Sequence, residues 1–151
     1  MNSRLFIAGA VAAFATSAFA SGASAESFTF TYTNEAASMV SAASPSGPLY
    51  AGSWKGVLTT VMKSGAALKS NFQCTIWPTP GQGTNQSMIC DAADTSGDKY
   101  SVTSNCLSSE KGPSLCWGYL QGLSGKYAGK VGVMSQIGGG ASGAGQGAWA
   151  D

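Results

Sequence analysis

The sequence predicts an all-β domain, an antiparallel calycin-like barrel of eight to nine strands that follows a removable export signal. Three observations lead there. Apolar residues fall in short runs of about five to ten, separated by turn signals. No segment beyond the N-terminal stretch holds an amphipathic helical period. Glycine is spread through the chain, 21 of 151 residues, while charged residues make up only 10%. A glycine-rich, weakly charged sheet can hardly protect open edges by charge, so closure into a barrel is the expected way to remove them.

The elements follow in order. Arg4 supplies a positive start, residues 5–19 an Ala-rich apolar stretch, and Ala23-Ser24-Ala25 an A-x-A cleavage site before Glu26, with Ala18-Phe19-Ala20 as a second site. An apolar stretch of about 15 residues is short for a membrane span of roughly 20. Residues 1–25 are therefore expected to be a cleaved signal and 26–151 a single barrel domain, periplasmic or secreted, with no integral membrane anchor. Phe28, Phe30 and Tyr32 alternate with Thr29, Thr31 and Thr33, the period of a strand. A short strand is expected near 38–42. Residues 53–62 form the next, with Trp54, Gly56, Leu58, Thr60 and Met62 on one face. Beyond the turn at 63–65, Leu68, Ser70, Phe72, Cys74 and Ile76 share a face, and Pro78 and Pro80 end that strand. Residues 86–91 and 99–105 form a hairpin about Ser96-Gly97. Strands at 114–121 and 130–136 flank the glycine-rich stretch 122–129. Residues 138–145 are all Gly, Ala and Ser and read as a flexible connection to a closing strand at about 146–150.

All four cysteines lie after the signal, an even number for an oxidising compartment. Cys74 and Cys90 centre on the turn-rich 78–85, and Cys106 and Cys116 on 109–113, where two antiparallel strands face each other across a hairpin. Cys90 with Cys106 would centre on the 95–98 turn, so that alternative stays open. The spacings lack the C-x-x-C pairs of a zinc site, and no metal is expected.

Composition excludes much. There is no His, which removes Ser-His-Asp and Cys-His nucleophiles and every His general base. With Arg4 in the signal, seven Lys face seven acids in the remainder, so attraction to nucleic acid is not expected. Asp91, Asp94 and Asp98 miss the spacing of a calcium loop and read as a polar turn. The 138–145 glycines are followed by no Lys-Ser/Thr and are no phosphate loop. No cofactor is implied.

Two local patterns resemble known barrels. Gly52-Ser53-Trp54 at the opening of a strand resembles the G-x-W signature of lipocalins. Gly122-Leu123-Ser124-Gly125-Lys126-Tyr127-Ala128-Gly129, continued by Val131-Gly132, resembles the G-G-T-G-K-Y-x-G-x-x-G stretch of allene oxide cyclase and dirigent-type barrels and of small exported bacterial members of that group. Leu123 and Ser124 depart from it, and no Arg exists to pair with Trp54. The resemblance implies an eight-stranded barrel whose interior holds one apolar small molecule or carries a cyclisation on its wall. Related barrels self-associate, so it also implies a homo-oligomer. No catalytic residue of the cyclases has a counterpart here.

The candidate ligand-binding residues are aromatic. The face of Trp117, Tyr119 and Gln121 and the face of Tyr100, Val102 and Ser104 are expected to line a cavity in which rings form the wall and hydroxyls orient the ligand. Ordinary core packing competes with that reading for each of them. Trp54 reads as a core plug at the barrel floor and Trp77 as a residue of the open rim. The leading expectation is an exported barrel binding an apolar small molecule without covalent catalysis. Its rivals are a cofactor-free cyclase or isomerase, which asks for a polar group facing the cavity, and an inhibitor-type barrel that binds a protein through the 77–85 hairpin.

Overall fold

The structure, a computed structural model, describes residues 25–45, 49–79, 85–108 and 112–150. Residues 1–24 of the expected export segment lie outside them. Eight strands run β1 Glu26–Ala42, β2 Leu49–Met62, β3 Ala67–Pro78, β4 Gln86–Asp94, β5 Lys99–Leu107, β6 Ser114–Gly122, β7 Val131–Gly139 and β8 Ser142–Ala150, with one 3₁₀ turn, η1 Gly125–Tyr127, between β6 and β7. Each strand pairs antiparallel with its chain neighbour, and β8 pairs with β1 to close the barrel.

Alternation fixes what points inward. Along β2 the inner face is the predicted Trp54, Gly56, Leu58, Thr60 and Met62, preceded by Gly52, and along β3 it is Leu68, Ser70, Phe72, Cys74 and Ile76. β1 is one long strand where two were expected. A bulge at Glu35, between Asn34 and Ala36, absorbs the change in register.

The seam between β1 and β8 corrects the expectation for 138–145. That stretch is ladder, with Gly143, Gly145 and Gly147 paired to Tyr32, Phe30 and Phe28. A Cβ on Gly145 would meet the Phe30 ring at 2.4 Å, one on Gly147 the Phe28 ring at 2.5 Å, and one on Gly143 the Tyr32 hydroxyl oxygen at 2.5 Å. Glycine is there because an aromatic ring from the opposite strand lies across it, filling the space its own side chain would take. Only Gly140-Ala141 remain as the turn, with Gly140 in the left-handed region at φ 60°.

Both disulfides join directly opposed residues, Cys74 to Cys90 and Cys106 to Cys116, and all four cysteines are buried inside the barrel. They pack with Ile76 and Met88 in one half of the interior. Phe28, Phe30, Met62, Tyr100, Leu120, Tyr127, Met134 and Trp149 fill the other half.

Candidate functional site

The two ends of the barrel are built differently. At the end that carries the β4–β5 turn, η1 folds over the opening and seats Tyr127 as a plug. Tyr127, Tyr100 and Trp149 form a triangle with ring centroids 4.9, 5.7 and 5.3 Å apart. Such pairs each contribute roughly 0.5–1.5 kcal/mol beyond their buried area. Two carboxylates of the β4–β5 turn hold the plug. Asp98 accepts the backbone N–H of Lys126 at 3.2 Å, while Asp94 pairs with the Lys126 ammonium. Asp94 also accepts the N–H groups of Ser96 at 2.8 Å and Asp98 at 3.1 Å, which shapes its own turn. Gly125 is required where η1 approaches this turn, since a Cβ there would lie 1.7 Å from an Asp98 carboxylate oxygen.

Electrostatics agree with a structural role for this end. Burial works to raise the Asp94 carboxyl, but the Lys126 contact, the two backbone N–H groups and the Lys126 charge outweigh it and hold the carboxyl below the usual range. Burial, the neighbouring Tyr100 and the Asp94 carboxylate push the Tyr127 phenol well above its ordinary value. Burial raises Tyr100 as well, against a hydrogen bond with Ser70. Both phenols are thus neutral, and their hydroxyls are held by Asp94 and Ser70, groups that do not line the cavity. What they show the interior is ring.

The interior retains a cavity of about 90 Å³ whose walls include Phe30, Leu58, Phe72, Val102, Leu120 and both edges of the Cys74–Cys90 bridge. Pockets for drug-sized ligands run to roughly 300–1,000 Å³. At the opposite end lies a second pocket of about 230 Å³ bounded by Asn34, Met39, Tyr50, Ile76, Cys106 and Ser114. The two back onto each other, with Tyr32, Trp54, Met88 and Gln136 in the walls of both. Among the described residues, no Lys, Arg, Asp or Glu lines either pocket. One polar group is conspicuous: Asn34 gives its side-chain N–H to the Gly140 carbonyl at 2.7 Å, and its carbonyl oxygen is buried without a partner beside the second pocket. Burial also raises the Tyr32 phenol nearby.

Of the predicted site residues, Tyr100 lines the interior. Trp117 and Tyr119 do not. They are 46% and 73% exposed on the outer face, because Cys116, Gly118 and Leu120 take the inward positions of β6. The bridge to Cys106, itself inward on β5, sets that parity. Trp77 is on the outer face at the end of β3, 38% exposed, and residues 80–84 of its hairpin lie outside the described residues. Trp54 is half-buried between the two pockets rather than at the floor, a role that Tyr127 and Trp149 fill. Sequence reasoning missed Tyr127, Tyr32 and Asn34. A tyrosine inside a glycine-rich connection was the available signal for the first.

Comparison with models of known protein families and with curated protein sequences returns no match.

Proposed function

We propose that the protein is a small-molecule carrier of the exported, disulfide-bridged type, taking one neutral and mostly apolar ligand through the end bounded by Met39, Tyr50 and Trp54. The carrying observation is the pair of adjoining chambers, sealed at one end by Tyr127 and approached at the other past Trp54. Walls whose described residues are mostly apolar and include no charged side chain favour an uncharged guest, since a buried unpaired charge would cost several kcal/mol. The unpartnered Asn34 carbonyl favours a guest that carries one hydrogen-bond donor, a hydroxyl or amide, at the entrance end. The small inner volume favours a short or slender tail. Export to an oxidising compartment is supported by the two bridges and the A-x-A segment. The cyclase reading is less favoured, because the Tyr100 and Tyr127 hydroxyls are tied to Ser70 and Asp94, which leaves the Tyr32 phenol as the group on which it would rest.

Native mass spectrometry and tryptophan fluorescence against linear alcohols from hexanol to dodecanol and the terpenoid alcohol geraniol test this. One molecule per chain, with a saturable fluorescence change that Trp54→Phe removes, is the expected result. A panel without a saturable binder, or a fluorescence change that Trp54→Phe leaves untouched, overturns it.

A further inference from the structure

The outer surface is as uneven as the two ends. On the β1–β3 side it carries Glu35, Lys55 and Lys69 among threonines, whereas the outward positions of β6, β7 and β8 hold no Lys, Arg, Asp or Glu. Three cross-strand rows show how that uncharged face is shaped. Leu115 lies beside Ile137 and then Ala144, Trp117 beside Ser135 and then Gln146, and Tyr119 beside Val133 and then Ala148. Bulk stands on β6, and the apolar rows end in alanine on β8. The β8 strip is the floor of a surface groove of about 670 Å³ over Gln146 and Ala148, walled by Val133 on one side and by Thr29 and Val61 on the other, with Lys63 at that far wall as the one charged residue among its described residues.

We propose that this face joins two copies of the chain as a two-fold dimer, the β6 ridge of each copy seated in the β8 groove of the other. β6 and β8 are the two neighbours of β7. A two-fold axis along β7, in the plane between facing copies, therefore carries each β6 onto the opposite β8, and one operation makes both contacts. In that arrangement Tyr119 of one copy covers Ala148 of its partner, Leu115 covers Ala144, and the β7 valines meet each other. The face suits itself in charge as well as shape, since two uncharged surfaces meet without the like-charge repulsion that a self-contact of Lys or Glu would bring. Its extent suits a weak, reversible pair. Three strands, β6 to β8, at ~4.8 Å spacing and nine residues at ~3.3 Å give about 430 Å² in projection, which puts each copy's share at the low end of specific interfaces. Exposed tryptophan and tyrosine on the β6 ridge are the residue types that carry binding energy in such contacts.

Sedimentation equilibrium of the purified, oxidised protein from micromolar to millimolar concentration tests this, with circular dichroism and thiol titration as controls for folding. The expected mass is that of two chains. Tyr119→Glu and Ala148→Lys should each raise the dissociation constant at least about thirtyfold. Mixing the two variants should restore the dimer, because one reciprocal contact then pairs opposite charges and the other is native. Tyr119 is 73% exposed, so its replacement leaves the core intact. A protein that stays monomeric throughout, a dimer that both variants leave unchanged, or a mixture no more associated than its components overturns the proposal. So does a monomer that binds lipid vesicles through this face.

Discussion

The sealed and the approached ends of this barrel use similar numbers of aromatic and polar groups to opposite effect. At the sealed end Tyr100, Tyr127 and Trp149 pack ring against ring, and Asp94 and Asp98 fasten both ends of Lys126 across the opening. At the other end Tyr32, Tyr50 and Trp54 stand around space, and a buried Asn34 oxygen has no partner. The first arrangement contributes stability and the second retains the capacity to bind. Substitutions should separate the two properties.

The largest effect is expected at the plug. Trp149→Ala removes a buried ring that touches Phe28, Tyr100 and Tyr127 and should cost about 3–5 kcal/mol in urea unfolding. Next come the bridges. Replacing Cys106 and Cys116 together by Ser opens a loop of sequence separation 10 and should cost about 3 kcal/mol in the chain-entropy view, with thermal unfolding as the readout. Asp94→Asn follows at about 1–3 kcal/mol, because Lys126 loses its counter-charge and the turn loses a charged acceptor. Trp54→Phe, at a half-buried site, should cost less than about 1.5 kcal/mol while removing the ligand response.

Asp94 also sets the pH behaviour of the sealed end. Its folded carboxyl is depressed, so the stability it contributes is present above the ordinary value of 3.8 and is lost as pH falls through the lower folded value. Tyr127 is raised, so its contribution is present below pH 10.0 and is lost as pH climbs beyond it. Unfolding free energy should therefore fall less steeply in Asp94→Asn than in the parent protein as pH is lowered from 6 to 2; equal slopes would contradict the assigned pairing.

Much of the fold was legible because strands announce themselves by period two. The inward faces of β2 and β3 and the cysteine pairing were read from alternation and turn position alone. Two errors have a common origin in size. Trp117 and Tyr119 were assigned inward because they are large, although pairing Cys106 with Cys116 on the face of Tyr100 and Val102 already requires Cys116, Gly118 and Leu120 to point in. Residues 138–145 were read as a flexible connection because glycine carries no strand preference, yet Gly143, Gly145 and Gly147 already alternate with Ala144 and Gln146 and match the spacing of Tyr32, Phe30 and Phe28. A long-range pairing decides both cases, and local propensity does not report it. The pocket was less legible still, since Asn34 and Tyr32 reach it only through the bulge and the barrel closure.

The division into a sealed and a receiving end is tested most directly by the indole N–H resonances of the four tryptophans, followed while geraniol is added. The account predicts that the Trp54 signal shifts and saturates while Trp149, in the plug, and Trp77 and Trp117, on the outer wall, hold their positions. A shift led by Trp149, or by the outer pair, would contradict it.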